Sequence, residues 1–425
     1  MQTYTQMKDS GVAWLGDIPA EWNIKPLFSF VEEKKNKNSE NLVDNVLSLS
    51  YGMIKKRELD NGGLLPESFA TYQIVEADDI ILRLTDLQND KRSLRVGRST
   101  QRGIITSAYV CIKPTKINSR YLYYLLHAYD LLKVFYNLGG GLRQGMKFDD
   151  LKRLPAFDIA PEQQLKIANY LDEETALIDD LIAKQQRLLA LLEEKRRATI
   201  THAVTRGLNP SVDLKETNIP WLGQIPAHWG VKRVKDISEV VLGKMVQNEQ
   251  KNESEIAKPY LKSRNIQWDG LDLSSVDEMW FKPKELESYK LQDDDIVVSE
   301  GGDVGKCVMW KEKFGEMYFQ NSVNRIRVLT GVPKYVFYVF QHYALNQVFA
   351  NTVNKVSIAH LTKDKIVAYH MPTPDVGEQR AVVAYLDNEN AKFRELKVKV
   401  LDQISLLKER RTSLISHAVT GKIKV

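Results

Sequence analysis

Apolar residues recur along the chain in two rhythms. Between Glu162 and Arg206 they return every three or four positions, with Leu171, Ile178, Leu181, Gln185, Leu188 and Leu192 at heptad-like spacing. Gly and Pro are absent from that run, strong helix formers dominate it, and Pro161 stands where a first-turn proline is tolerated. The pattern comes back from near Glu378, just after Gly377, where Leu386, Phe393, Leu396, Val400, Gln403 and Leu407 keep the stripe. Each run predicts a helix of about 40 residues, roughly 60 Å long at 1.5 Å rise per residue. A stripe this narrow calls for one partner helix. The remaining surface, with Glu193, Glu194, Lys195, Arg196 and Arg197, is too charged to bury, so the two helices are expected to pair with each other.

The second rhythm is short. DDIILRL (78–84), AYVCIKP (108–114), DDIVVSE (294–300) and NRIRVL (324–329) are β-branched or aromatic runs that predict strands. RYLYYLLHAYDLLKVFY (120–136) and KYVFYVFQHYALNQVFA (334–350) predict shorter helices. The expected fold class is therefore α+β: a mixed domain over 1–155, a long helix over 156–208, a second mixed domain over 209–370 and a second long helix over 371–425.

That order is a duplication. WLGDIPAEW (14–22) returns as WLGQIPAHW (221–229) with two letters of nine changed. The helix runs also share anchors: Tyr170, Leu171, Asp172 and His202, Ala203, Val204, Thr205 recur at Tyr385, Leu386, Asp387 and His417, Ala418, Val419, Thr420, a constant offset of 215. The segments between opening and helix diverge. A shared scaffold carrying two different globules is what a reader of two targets would need.

Composition narrows the classes. With 43% apolar and 27% charged residues the 425-residue chain has material for real cores. It shows neither a leader-like start nor an apolar stretch of about 18 residues, so a cytoplasmic protein is expected. Cys111 and Cys307, far apart, read as ordinary reduced residues. The net charge of +5 permits a polyanion partner without demanding one.

Together the openings, the EQ…YLD and HAVT helix motifs, and the internal text LSLSYGMIKKRELDNGG, TDLQNDKRSLRVGR, GIITSAY, YLKSRNIQWDGLDLSSVDEMWF and SEGGDVGK resemble the DNA-specificity subunits of type I restriction-modification systems over essentially the whole chain. The resemblance implies two target recognition domains in tandem, each reading half of a bipartite interrupted DNA site, joined by an antiparallel coiled coil with pseudo-two-fold symmetry. It also implies partners: double-stranded DNA, two modification subunits that methylate adenine with S-adenosylmethionine, and ATP-driven restriction subunits. One departure is that the first helix opens PEQQ and the second PDVGEQ.

The chain itself offers no catalytic constellation. Its one Asn-Pro, Asn209-Pro210, is followed by Ser211 rather than by Pro and an aromatic residue. GGDVGKC (301–307) has three residues instead of four between Gly301 and Gly305, and Cys307 where a phosphate loop needs a hydroxyl, so it reads as a turn near DNA. The histidines form no metal motif; His202 and His417 sit at matching helix ends, where they suit the helix dipole. No cofactor and no metal are expected in this chain.

DNA contacts are sought where basic and amide side chains gather. KRSLRVGRSTQR places Lys91, Arg92, Arg95, Arg98 and Arg102 within twelve positions without an acid. Lys55, Lys56, Arg57, Arg143 and Lys147 add to the first domain; Lys262, Arg264, Asn265, Gln267, Lys306, Asn321, Asn324 and Arg325 form a sparser set in the second. Such side chains neutralise phosphates or read guanine and adenine edges, and the sequence does not say which. The alternative is a non-catalytic assembly adaptor built on the duplicated helices.

Overall fold

In the computed structural model, residues 3–57, 68–87, 90, 93–137, 145–301, 303–352 and 360–425 are described. The chain divides into two compact units. One comprises the chain up to Gln186 together with Leu401–Val425, the other Arg187–Val400. The division falls inside the two long helices rather than between globule and helix, because each helix contributes one half to each unit. Among the described residues no helix is long and apolar enough to cross a membrane.

The first unit opens with a two-stranded sheet, β1 (Met7–Asp9) and β2 (Asp17–Pro19), followed by β3 (Asn23–Pro26) and β4 (Val31–Lys34). A hairpin of β5 (Leu47–Ser50) and β6 (Met53–Lys56) comes next, then β7 (Gln73–Val75), β8 (Ile80–Leu82), β9 (Val96–Arg98), β10 (Gly103–Ile105) and β11 (Val110–Pro114). Its centre is an antiparallel sheet in the order β4-β11-β8-β9. Against it pack α1 (Ser119–Leu131), capped by the Asn118 side chain, and after it come α2 (Phe148–Leu151) and β12 (Pro155–Asp158), which pairs with β3. From there the chain enters α3 (Pro161–Arg206).

The second unit repeats the plan with β13 (Leu214–Glu216), β14 (Gln224–Pro226), β15 (Gly230–Arg233), β16 (Ser238–Leu242) and β17 (Ile256–Leu261). It continues through a small hairpin, β18 (Ile266–Gln267) and β19 (Gly270–Leu271), then β20 (Asp277–Phe281), α4 (Pro283–Tyr289), β21 (Ile296–Ser299), β22 (Cys307–Met309), β23 (Tyr318–Phe319) and β24 (Val323–Val328). Its central sheet runs β16-β24-β21-β22, antiparallel throughout. α5 (Pro333–Leu345), α6 (Val348–Thr352), α7 (Lys363–Ala368) and β25 (His370–Thr373), paired with β15, lead into α8 (Val376–Val419).

The repeated opening has a structural purpose: it clasps the end of the other copy's helix. Trp22 and Ile18 are buried, and Gly421, just past α8, takes φ +72° against them; a Cβ there would lie 2.3 Å from Pro19 Cδ. In the second unit Gly207, just past α3, takes φ +75°, and its Cβ would lie 3.1 Å from the buried Trp229 ring. Only glycine meets both the left-handed backbone and the close approach. Tyr121 donates to the Val419 carbonyl at 3.2 Å, and Tyr335 to that of Val204 at 3.5 Å. The other motif residues also act as pairs. Gln164 accepts from Asn118 N and donates to the Ile159 carbonyl, as Gln379 does with Val332 N and the Pro374 carbonyl. Asp172 holds Arg120 at 2.6 Å and Tyr124 at 2.8 Å; Asp387 holds Lys334 at 2.7 Å and Tyr338 at 2.5 Å.

Helix pairing is antiparallel within each unit. In the first, Leu171 and Ile178 are buried and Leu407 is half-buried beside them, in one core with Leu414, Ile415 and Val419; Asp179 meets Arg411 at 2.9 Å. In the second, Ile200, Ala203 and Val204 share a core with Val382 and Leu386, Arg196 Nε donates to Asn390 at 2.8 Å, and Lys397 meets Glu193 at 3.3 Å. Phe393 and Val400 are buried and Leu192 half-buried. Three expected pairing residues are corrected: Leu181, Leu188 and Leu396 are exposed. The covered positions are Ile182, Leu189 and Lys397, one residue further on, because the seam steps by four and then three (171, 175, 178, 182, 185, 189, 192), where the expected stripe stepped by three and then four. Gln403, too, is exposed.

Candidate nucleic-acid interface

The basic run of the first unit does not act as one patch. Arg95 has no exposed surface: its guanidinium donates to the carbonyls of Thr85 at 2.6 Å, Asp86 at 3.2 Å and Arg83 at 3.3 Å, to that of Asp90, and to Tyr136 Oη at 3.2 Å. It ties down the loop after β8 and is removed from the set of DNA contacts. Arg98 is partly exposed and pairs with Asp78 at 2.5 Å; the Ser119 hydroxyl, first, and Arg98 hold that carboxyl below its usual range. Arg102 is exposed, with Glu76 at 3.4 Å. Lys91, Arg92 and Arg143 lie outside the described residues. Lys55 and Lys56 on β6, Arg57 after it and Lys147 before α2 are exposed. The β5–β6 hairpin lies against β9, where Gly97 leaves room for Leu49 and Ile54, and at its tip stands Tyr51, 79% exposed.

In the second unit three candidates face inward. Asn265 is buried and donates to the carbonyls of Asp272 at 2.9 Å and Ser275 at 3.1 Å while accepting from Lys262 N, which fixes the base of the β18–β19 hairpin. Asn324 is buried and donates to the Leu361 carbonyl at 3.2 Å; Arg325, 2% exposed, pairs with Glu239 and donates to the Ser288 carbonyl at 3.2 Å. These belong to the sheet, not to a ligand surface. Strand alternation is overridden here: Val323–Ile326 are buried at consecutive positions in an inner strand covered on both faces, so Asn324 and Arg325 turn inward.

The remaining candidates converge. Ser263 N and Oγ bond Ser322 at 3.0 and 2.6 Å, Glu300 N donates to the Ser322 carbonyl at 2.9 Å, and Asn321 N to that of Lys244 at 2.9 Å. Four loops thus meet at one rim. It carries Arg264, Gln267 and Asn321, all exposed, with Lys262 half-exposed and paired to Asp277. Lys306, in the turn between β21 and β22, pairs with Asp303 at 2.5 Å and has its ammonium 5.8 Å from the centre of the Trp268 ring. The glycine turn itself is set by packing: Gly305 has φ +84°, and a Cβ there would lie 2.3 Å from Phe349. Trp268 and Tyr51 were not anticipated. The glycines were the legible signal: Gly52 and the Asp269-Gly270 pair mark hairpin turns, and the aromatic residue stands directly before each.

Among the described residues no three His, Cys, Asp or Glu side chains come together as a metal site. Burial pushes both thiols, Cys111 and Cys307, up to about 12, so neither is a ready nucleophile.

Two globules of one plan, each clasping a helix end and each offering different basic, amide and aromatic loops, define a duplicated fold. Residues 226–406 match the family model described as the type I restriction modification DNA specificity domain. The chain is 22% identical over 438 aligned residues to the type I restriction enzyme MjaVIII specificity subunit of Methanocaldococcus jannaschii, covering 96% of this chain and 94% of that one. It is 23% identical to the StySPI specificity subunit of Salmonella potsdam over 47% of this chain and 44% of that one. Its fold resembles a chain solved in work on complex assembly and conformational transition of a type I R-M system (TM-score 0.72, 13% identity, 95% and 99% covered). It also resembles the HsdS subunit of Thermoanaerobacter tengcongensis (TM-score 0.52, 12% identity, 95% and 98% covered). Over residues 226–406 by the family model, and along nearly the whole chain at lower identity, the similarity is thus to type I restriction-modification DNA-specificity subunits.

Proposed function

We propose that each unit reads one half of a bipartite, interrupted DNA site, and that the paired helices carry two modification subunits and, through them, the restriction subunits. The chain performs no chemistry of its own in this reading; S-adenosylmethionine and ATP are bound by the partners. The observation that carries it is the contrast inside the duplication. The clasp residues Trp22 and Trp229, Gln164 and Gln379, Asp172 and Asp387 are kept, while the exposed loops of the two units differ in charge and length. Constant anchors with variable tips suit a device that must hold the same partners twice and recognise two different sequences.

Salt dependence separates this reading from a protein-assembly adaptor. If six to ten phosphates are neutralised, affinity for duplex DNA falls by roughly 10³ to 10⁵ between 50 and 200 mM salt. A flat response would favour the adaptor. Sequencing the methylated adenines in DNA from cells carrying the whole system then gives the two half-sites, which should be separated by a stretch of indifferent sequence.

A further inference from the structure

Each unit holds one aromatic side chain out at the tip of a short hairpin, and neither is needed where it stands. Trp268 is 43% exposed, although the β18–β19 hairpin is already anchored by the buried Ile266, by Leu271 in the same core and by the Asn265 hydrogen bonds. Asp269, its neighbour, meets Lys397 at 2.9 Å, so the tip is braced from the side. Tyr51 is more exposed still, and its backbone has φ +48°. Two-residue turns with positive φ at both positions favour Asn, Asp or Gly at the first; an aromatic residue is disfavoured there. Turn geometry therefore does not explain Tyr51, nor does core packing explain Trp268. Both hairpins lie against the outer strand of their central sheet, β9 in one unit and β22 in the other. Cations lie on the same elements: Lys306 has its ammonium over the Trp268 ring, and the exposed Lys55 and Lys56 stand further along β6, the strand that leaves the Tyr51 turn.

A flat aromatic surface on a rigid support, beside side chains that bind phosphate, suits a nucleobase. Stacking is tolerant of sequence, and a preorganised ring loses little entropy on binding. The geometry points to Tyr51 and Trp268 as stacking residues, each inserting against a base of its own half-site and opening one step of the duplex before any methyltransferase acts. This rests on the DNA-reading assignment above and adds that the specificity chain alone distorts its target.

The test uses the full-length chain without partners. Duplexes retained by the wild-type chain at about 100 mM salt are selected from a random-sequence pool, and their adenines are replaced one at a time by 2-aminopurine. Wild type should raise the fluorescence at a position in each half-site. Trp268→Ala should abolish the signal in one half only and Tyr51→Ala in the other, each weakening binding roughly tenfold to a hundredfold, the range of one base–aromatic contact. Trp268→Phe and Tyr51→Phe should keep most of the signal, since both sites are exposed and the ring is preserved. If no duplex were retained by the wild type, the DNA-reading assignment would fail and this inference with it. If duplexes were retained but the alanine variants matched wild type in affinity and fluorescence, only the stacking role would be overturned. The same holds if they lost association with modification subunits instead, which would make the rings protein contacts.

Discussion

The Arg95 guanidinium, wholly buried, donates to the main-chain oxygens of Thr85 and Asp86, and its own amide donates to Asp130 at 2.6 Å. Arg95→Ala should therefore lower stability by about 3 kcal/mol or more, by emptying a fully buried site and removing its hydrogen bonds, whereas Arg102→Ala, at an exposed site, should stay within about 0.5 kcal/mol. Chemical denaturation of the two variants distinguishes them; if Arg95→Ala were as stable as wild type, the loop would not depend on that clamp. The run KRSLRVGR looked uniform because charge is legible in sequence and burial is not: Arg95 immediately precedes a strand whose Val96 and Gly97 are buried, and the Asp130 it meets lies far along the chain on α1. His127 stacks on Tyr123, and its ring nitrogens have no hydrogen-bond partner among the described residues. Burial lowers it to about 4. The unfolded imidazole, near 6.5, then binds a proton that the folded ring refuses, so its stabilisation is complete above about pH 6.5 and is lost as pH falls toward 4. His342, also lowered to about 4 by burial, acts in the same direction, and Asp130, raised to about 6 by burial, in the opposite one between about 4 and 6. His127→Phe should cut the stability lost between pH 7 and pH 5 by about 2 kcal/mol, which calorimetry at the two pH values would detect. An unchanged pH slope would mean that His127 is protonated in the folded state.

At the scale of elements, the long helices were legible almost to their ends, because composition, the absence of Gly and Pro, and period all agree over more than forty residues. Which side of them is covered was legible only in part. Leu181 and Ile182 are adjacent and apolar, as are Leu188 and Leu189, so the sequence permits two seams; packing against the other helix selects the one containing Ile182 and Leu189. Substitutions resolve the two seams. Ile178→Asp places a carboxylate in the core of the first unit and should cost several kcal/mol, whereas Leu181→Asp should be nearly neutral in stability. Equal losses in thermal melts would return Leu181 to the seam. Strands were legible from their β-branched centres at Ile80–Leu82 and Ile296–Ser299, but not the two hairpins, whose pairing depends on turn residues more than on apolar period. Their tips carry Tyr51 and Trp268, aromatic residues that charge and amide content do not reveal.

At the scale of the whole chain, the clasps make a definite demand on any half of it. A fragment ending at Leu208 keeps the opening that contains Trp22 but loses Gly421, against which that opening packs. It keeps Gly207 but loses Trp229, against which that helix end packs. It also exposes Leu171 and Ile178, which are buried in a core shared with Leu414 and Val419. Each lost partner has an equivalent within the fragment itself: Gly207 stands in for Gly421, Trp22 for Trp229, and the HAVT run at His202 for the one at His417. A second copy can therefore supply every missing contact, and a self-complementary patch closes as a two-fold dimer. Residues 1–208 should elute as a dimer, and with modification subunits present it should direct methylation to a palindromic interrupted site whose two halves both equal the first unit's target. Gly207→Val should prevent this, because a Cβ with branches meets the tryptophan that the glycine admits. A monomeric fragment that still directs methylation, or a dimer whose methylated motif is asymmetric, would break the equivalence of the two halves.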